Sequence, residues 1–250
     1  MKVRSNRWLS RIEKTLGESD SEKAVQALVR RFRPENETLE SITRQLDVAQ
    51  IVMEPLPFDG GVYEVDGRRL IKLNSLALPV RQKFTLAHEI GHLILERTLK
   101  AATACASDEH LERACDILAA ELLMPAAETR ALAKEVGNQS PEKLGMIANR
   151  FAVSLKTAAQ RLHDLGLWKM GIGMWKCGST SEQLWYVGKR PWKTDCPSFS
   201  VFQLAIESSV PVCTSERFPR GPGSDTELVG LKAHHIGKNY VVAVVATTAK

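Results

Sequence analysis

The chain has 250 residues, a net charge of +5 and a pI near 9.0. Its 44% hydrophobic and 25% charged residues are the values of an ordinary globular protein, and they exclude a disordered or fibrous chain. A chain of this length predicts two small domains, or one domain with appendages. The mild positive charge permits contact with nucleic acid or with an acidic partner without requiring either.

Several features predict a cytoplasmic protein without a membrane role. The N-terminal stretch MKVRSNRWLSRIEK lacks the apolar core of a secretory signal. The late apolar run from Tyr240 to Ala246 is far too short to span a bilayer. Cysteines stand at positions 105, 115, 177, 196 and 213. Their odd number and the lack of CxxC spacing indicate reduced thiols.

The first third of the sequence predicts two helices and a β-hairpin. Ser21 can cap a helix of residues 21–32 that Pro34 ends, and a second helix is expected over about 37–46. The segments VYEV and RRLIKLN then flank Asp66-Gly67, a dipeptide that tolerates the positive φ angles of a tight turn.

Three helices are predicted next. Pro79 suits the first turn of an amphipathic helix that reaches about Leu99, since apolar residues recur there at the spacing of one helical face. Asp108 can cap another helix that Pro125 stops, and a short helix follows over 126–136.

Two short helices with a turn at residues 151–154 are predicted over 141–166. After Trp168 the sequence predicts Gly- and Trp-rich strands around one helix of residues 199–208, and two apolar strands at the end. These changes place domain boundaries near 137 and 169. The predicted parts are residues 1–137, 138–168 and 169–250.

Two histidines four residues apart lie in the predicted helix that begins at Pro79. His88 and His92 form the pattern HExxH with Glu89. Residues i and i+4 share a helical face, about 5–6 Å apart at Cβ, so both imidazoles can bind one catalytic Zn²⁺ ion while Glu89 acts as general base toward a water. Gly91 leaves room for other backbone to pass closely. The alternative is an ordinary helix with two histidines; the amphipathic setting favours the metal site.

A catalytic zinc ion of this type needs a third protein ligand. Glu112 and Asp116 lie one turn apart on the helix predicted before Pro125. Glu112 can bind the metal while Asp116 accepts the ring N–H of a ligating histidine. Glu121 is the rival ligand, but it lies half a turn away from Glu112 around the helix.

Four segments in this order resemble the ImmA/IrrE family of metallopeptidases. They are Ile71-x-x-Asn74, FTLAHEIGHL, ERACDILAAELLMP and LGMIANRFAVSLKTAAQRLHDLGL, which together cover about residues 60–167. The resemblance implies that His88, His92 and Glu112 hold zinc and that Glu89 is catalytic. The chain departs from the family at Cys115-Asp116, where alanine and asparagine are usual; the aspartate keeps a hydrogen-bond acceptor.

The resemblance also implies a fold and a function. The expected fold class is α+β: a mostly helical zincin-like catalytic domain with a small β-hairpin or sheet, a helix-turn-helix-like helical segment, and a C-terminal α/β domain that in relatives can be a GAF-like sensor. Family members cleave a helix-turn-helix transcriptional repressor and so derepress stress-response or mobile-element genes. The residues themselves support only a zinc hydrolase with a peptide substrate.

Weaker candidates remain open. The hairpin that ends at Asn74 either offers an edge strand to a peptide or is a covered strand. Tyr63 is a candidate contact to the substrate, against the alternative of a packed or solvent-facing side chain. Arg150, Lys156 and Arg161 can meet DNA phosphates, although a helical brace is favoured. The competing function is a zinc-stabilised DNA-binding transcriptional regulator without proteolytic activity.

The last part of the chain carries less information. Its tryptophans can line the pocket of a sensor domain or fill a core. They are Trp168, Trp175, Trp185 and Trp192.

Overall fold

A computed structural model describes residues 21–33, 38–99, 109–177, 181–188, 200–208, 212–219, 226–236 and 240–247. Over these residues the chain forms eight helices and two β-sheets, which confirms the α+β class. It divides into two compact units, Met1–Glu128 and Thr129–Lys250. Each unit is built around its own sheet.

The first unit contains the predicted helices and hairpin, together with one strand that the sequence did not predict. Its elements are α1 (Ser21–Phe32), α2 (Leu39–Gln45), β1 (Val48–Glu54), β2 (Gly60–Val65), β3 (Arg68–Asn74), α3 (Pro79–Leu99) and α4 (Glu109–Leu123). The boundary between the units falls in the first turn of α5 (Ala126–Val136).

The three strands of this unit are arranged in the order β1-β3-β2. The β2–β3 hairpin turns at Asp66 and Gly67, whose φ angles of 50° and 70° are both positive, and the predicted hairpin is thereby confirmed. The additional strand β1 pairs with β3 in parallel. The predicted hairpin therefore supplies the central strand of the sheet, and β2 forms one edge.

Helix α3 packs between this sheet and α4. Ile71 and Leu73 of β3 are buried, while the alternating Leu70 and Lys72 are partly exposed, so α3 covers the face that carries Ile71. On its other side α3 approaches α4 closely at Gly91. A Cβ atom built on Gly91 would lie 3.2 Å from both Cα and O of Cys115. The expected close passage of backbone at Gly91 is confirmed.

The second unit contains a helix pair and a five-stranded antiparallel sheet. After α5 its elements are α6 (Pro141–Phe151), α7 (Leu155–Asp164), β4 (Gly171–Cys177), β5 (Ser181–Val187), α8 (Ser200–Glu207), β6 (Val212–Pro219), β7 (Thr226–His235) and β8 (Tyr240–Thr247). The strand order is β5-β4-β8-β7-β6, and β6 was not predicted. Helix α8 packs on the sheet, and the ring centroids of Phe202 and Trp175 lie 4.9 Å apart in the core.

The helix pair α6–α7 has capping residues that explain its boundaries. The Ser140 hydroxyl accepts the N–H of Lys143, and the Ser154 hydroxyl accepts the N–H of Thr157. Ala152 ends α6 in the left-handed conformation, with φ 51° and ψ 52°. The predicted turn between two short helices is confirmed.

Other expectations have mixed outcomes. Cys115, Cys177 and Cys213 are free thiols, as predicted. Trp168 and Trp175 are buried, which favours the core role. Among the described residues, none of the helices combines the length and the apolar character needed to cross a bilayer. Asp108, Cys105, Cys196 and Trp192 lie outside the described residues.

Replacing Ala152 with glycine should stabilise the second unit. The left-handed conformation costs an L-residue about 1–2 kcal/mol, and the greater freedom of glycine in the unfolded chain offsets part of this, so we expect a gain of about 0.5–1 kcal/mol. The matched control is Ala131→Gly in α5, an exposed helical position that should lose about 1 kcal/mol. Urea unfolding measures both. Equal losses in the two variants would contradict the assigned turn.

Gly91 and Gly145 provide a second matched pair, since both lie within helices. Gly91→Ala should destabilise the protein by about 0.5–2 kcal/mol, because overpacking against α4 outweighs the helix propensity of alanine. Gly145→Ala should be neutral or stabilising by up to about 1 kcal/mol, since nothing lies within 4 Å of its built Cβ. Thermal melts of the two variants measure the contrast. A stabilising Gly91→Ala would show that the helices are not in close contact.

Candidate metal centre

Helix α3 brings His88 and His92 together on the face that meets α4. Their Nε2 atoms lie 3.1 Å apart, and the two rings are edge to face with centroids 4.8 Å apart. Both side chains are largely buried. The i, i+4 spacing of HExxH therefore brings two ring nitrogens close to one point, as helix geometry predicts.

Helix α4 adds a carboxylate to the two imidazoles. Glu112 Oε2 lies 3.1 Å from His88 Nε2, and Glu112 Oε1 lies 3.4 Å from His92 Nε2. The missing side chain of Gly91 allows α4 to come this close. The three predicted ligand side chains are thus brought together from two helices.

Asp116, one turn after Glu112, lies on the outer side of His88. Its Oδ1 is 2.9 Å from His88 Nδ1. A proton on Nδ1 is donated to this carboxylate, which fixes the ring orientation and leaves Nε2 as the ligand atom. Burial opposes the charged form of His88, but Asp116, with Glu89 and Glu112, outweighs it and raises the pKa of the ring. Burial and the neighbouring His88 lower the pKa of His92.

The side chain of Glu89 projects from α3 toward the edge strand β2 and is buried there. Burial raises the pKa of its carboxyl group, and Glu112 adds to this effect. The carboxylate accepts a hydrogen bond from the backbone N–H of Val62 in β2. Glu89 is therefore oriented by the strand that borders the site.

The two ring nitrogens and the Glu112 carboxylate are close enough together to surround a zinc ion. Donors bound at about 2.0–2.1 Å around a tetrahedron lie about 3.3–3.4 Å apart. The two Nε2 atoms are 3.1 Å apart, His88 Nε2 is 3.1 Å from Glu112 Oε2, and His92 Nε2 is 3.4 Å from the other carboxylate oxygen, Oε1. The donor set of two imidazoles and one carboxylate is also one that zinc accepts.

Cys115 is an alternative third donor. Its sulfur and one ring nitrogen each of His88 and His92 all lie within 4.8 Å of one another. However, burial strongly raises the pKa of this thiol, and Glu112, Glu89 and Asp116 add to the effect. Glu112 is the third donor that the family resemblance implies, and its oxygens lie 3.1 and 3.4 Å from the two Nε2 atoms.

Two further candidates, Glu121 and Asn74, accept hydrogen bonds from backbone N–H groups of the protein itself. Glu121 is 5% exposed and accepts the backbone N–H of Ala126 at 3.2 Å, where it caps α5 rather than facing the histidines. Asn74, predicted to contact substrate, accepts the N–H groups of Leu56 at 3.3 Å and Leu76 at 3.0 Å through its side-chain oxygen. That oxygen is occupied by the protein's own backbone.

Tyr63 lies on the wrong side of the sheet for contact with the histidines. It pairs with Leu70, and its ring faces the Lys72 ammonium at 5.2 Å. Successive residues of a strand alternate between faces, so Tyr63 points away from the face that carries Ile71 and α3. This position favours the alternative of a packed or solvent-facing side chain, and contact of Tyr63 with substrate stays a prediction.

The three basic residues of the helix pair do not form one surface. Arg161 is 5% exposed, whereas Arg150 and Lys156 are exposed. The buried guanidinium of Arg161 favours the alternative of a helical brace, and contact with DNA phosphates stays a prediction. Two exposed cations remain from the predicted set of three.

Sequence reasoning missed the groups that flank the donors. The N–H of Val62 contacts Glu89, but a backbone donor has no sequence signature. Arg81 forms an ion pair with Asp59 and lies within electrostatic range of Asp116. Its position one to two turns before His88 on α3 was the available signal.

Comparisons with known proteins cover the same region. The model of the IrrE N-terminal-like domain (Peptidase_M78) matches residues 43–163. The chain is 34% identical over 117 residues to the radiation response metalloprotease IrrE of Deinococcus radiodurans, a match that covers 44% of this chain and 35% of that protein. It is 32% identical over 135 residues to the protein of the same name in Deinococcus deserti, covering 50% of this chain and 46% of that one. The chain thus spans less than half the length of these relatives.

A solved structure of a Mycobacterium tuberculosis transcriptional regulator has a similar fold. Its TM-score is 0.57, over 97% of this chain and 80% of that chain, at 14% sequence identity. Such a likeness shows the fold alone. The family match is the stronger finding, because it contains both histidines, Glu89 and Glu112. Residues 43–163 therefore match an IrrE N-terminal-like domain of the ImmA/IrrE metallopeptidases.

Proposed function

We propose that the protein is a cytoplasmic zinc-dependent endopeptidase with one catalytic ion held by His88, His92 and Glu112. The observation that carries this proposal is the convergence of two Nε2 atoms, 3.1 Å apart, with the Glu112 carboxylate, whose two oxygens lie 3.1 and 3.4 Å from them; such spacing suits zinc. Three protein ligands leave one position for water or substrate, as in catalytic rather than structural zinc sites.

Each residue of the centre has a distinct role in this proposal. Bound zinc supplies Lewis acidity, which polarises the carbonyl of a peptide bond and acidifies water. Glu89 takes a proton from the attacking water and passes it to the nitrogen of the leaving amine. The N–H of Val62 holds the Glu89 carboxylate in place, and Asp116 holds the His88 ring.

The proposed substrate is an extended segment of a protein. Strand β2 is an edge of its sheet and contacts Glu89 through Val62, so a peptide added to this edge passes beside the general base. The central position of β3 means that β2, not the strand ending at Asn74, offers this edge on the side of the site.

The identity of the substrate rests on the family. By resemblance, the target is a helix-turn-helix transcriptional repressor whose cleavage derepresses stress-response or mobile-element genes. The C-terminal part, residues 169–250, is proposed as a GAF-like sensor. Its antiparallel sheet with α8 packed on it supports a domain of this kind.

The competing function is a zinc-stabilised DNA-binding regulator. The paired helices α6 and α7 with exposed Arg150 and Lys156 favour it. The burial of Arg161 weakens it, because two cations neutralise few phosphates. A structural zinc also has four protein ligands. The endopeptidase is therefore the preferred function.

Glu89→Gln should abolish cleavage and leave zinc binding intact. The amide keeps the size of the side chain but cannot accept the proton, and we expect the rate to fall about 10²–10⁴-fold. The assay combines metal analysis with cleavage of a co-expressed helix-turn-helix repressor. Glu96→Gln, a change two turns further along α3 at a residue paired with Arg69, is the matched control and should stay active.

Unchanged cleavage by the Glu89→Gln variant would rule out the proposed mechanism. Salt-dependent DNA binding that survives this substitution, without cleavage of any partner by the unaltered protein, would support the competing regulator instead.

Asp116→Ala should weaken zinc binding about 10–100-fold, because His88 loses the acceptor that fixes its ring. Asp116→Asn is the matched control: it keeps an oxygen acceptor of the same size and should retain most of the affinity. Competition with a chelating dye gives the two dissociation constants. Equal affinities in the Ala variant and the unaltered protein would show that the bond to His88 plays no part in metal binding.

A further inference from the structure

Three exposed apolar side chains lie at one end of the first sheet. Leu76 and Leu78 are 78% and 71% exposed, and Phe58 is 47% exposed. They lie on two neighbouring loops, 55–59 after β1 and 75–78 after β3. We call these three side chains the apolar shelf.

One side chain holds the two loops together. The side-chain oxygen of Asn74 accepts the N–H of Leu56 in one loop and the N–H of Leu76 in the other. The backbone N–H of Asn74 also donates to the carbonyl of Asp59 at 2.8 Å. The loops that carry the shelf are therefore adjacent.

The turn that presents the two leucines is fixed by α3. The side-chain amide of Gln82 donates to the carbonyls of Asn74 at 3.0 Å, Ser75 at 3.3 Å and Ala77 at 2.9 Å. A turn held by this many bonds keeps Leu76 and Leu78 in solvent. Clustered apolar side chains that folding does not bury are typical of binding surfaces, and a rigid turn reduces the entropy lost on binding.

The shelf is linked to the metal centre on the same helix. Asp59, the residue after Phe58, pairs with Arg81 of α3. Asp59 chiefly, and Asp116 more weakly, raise the pKa of Arg81, so its guanidinium pairs with the loop and is within electrostatic range of the carboxylate beside His88. The loop of Phe58 leads directly into β2, the edge strand whose Val62 contacts Glu89.

The distance along α3 indicates which part of a substrate reaches the shelf. Leu78 precedes His88 by ten positions in the sequence, and helical rise makes this about 15 Å. An extended peptide covers about 3.3 Å per residue, so about four or five residues bridge the gap.

We propose that the apolar shelf binds a large apolar side chain of the peptide substrate, four or five residues from the cleaved bond. This inference rests on the proposed peptidase function and adds a specificity-determining surface to it. The occupant is the substrate itself, because the shelf is continuous with the edge strand along which the peptide lies. Phe58, Leu76 and Leu78 are specificity residues and take no part in the chemistry.

The test uses the full chain loaded with zinc and a library of randomised peptides, whose products are sequenced by mass spectrometry. We expect Leu, Ile, Phe or Met to be enriched about four or five residues to one side of the cleaved bond. A preferred peptide and its copy with serine at that position are then compared on two variants, Leu76→Ser/Leu78→Ser and Phe58→Ser. Leu204→Ser, 52% exposed on α8, is the control.

The unaltered protein should prefer the apolar peptide about tenfold or more in kcat/KM, as expected for one buried apolar side chain. The double variant should lose most of this preference, because its kcat/KM for the apolar peptide falls toward that for the serine peptide. Phe58→Ser should give a partial loss, and Leu204→Ser none. Melting temperatures and metal content check that each variant is folded and loaded.

The outcomes separate the two proposals. Cleavage without an apolar preference at this position, or a preference that survives in both shelf variants, would overturn the shelf and leave the peptidase standing. Absence of cleavage of the library and of a protein substrate by the zinc-loaded unaltered chain would overturn the peptidase, and the shelf with it.

Discussion

The close approach of α3 and α4 at Gly91 is the contact on which the metal centre depends. Backbone atoms of Cys115 would lie 3.2 Å from a Cβ atom at Gly91, so any side chain there forces the helices apart. Glu112 and Asp116 are on the same helix as Cys115, and His88 and His92 are on the same helix as Gly91. The donor separations of 3.1–3.4 Å therefore follow from helix packing. A centre built on two packed helices is held more rigidly than one built on loops.

The charges around this contact favour a cation. Three carboxylates, from Glu89, Glu112 and Asp116, surround two largely buried imidazoles; Glu89 is buried, whereas the side chains of Glu112 and Asp116 are about half exposed. Glu112 raises the pKa of both Glu89 and Cys115 beyond the effect of burial. Like charges this close together are unfavourable unless they are compensated. A divalent ion at the converging Nε2 atoms restores the balance, in agreement with the proposed zinc.

Local sequence patterns predicted the helices and the candidate metal ligands. Strand pairing and side-chain burial depend on tertiary contacts and could not be predicted in this way. Helical periodicity is a local property of the sequence. It therefore predicted α3, and it also predicted that Glu112 and Glu121 point to opposite sides of their helix. Strand β1 pairs in parallel with the second strand of the hairpin, beyond β2, and its register has no local signal. The same reason explains Tyr63, because only the pairing with Leu70 reveals which face it occupies. Arg161 shows that charge alone does not predict exposure. An arginine is expected at the surface, but packing buries this one.

Asn74 shows how a residue can matter to a site without touching it. It ends the central strand β3, so the loop that joins β1 to β2 passes its side chain and backbone. Its side-chain oxygen satisfies N–H groups in two loops that would otherwise be unpaired. One of those loops leads into β2, whose Val62 orients Glu89, and the other leads into α3, which carries the histidines. The carboxamide thus fixes the position of the edge strand relative to the catalytic helix. This is a physical reason for an asparagine at the end of the hairpin that does not require contact with substrate.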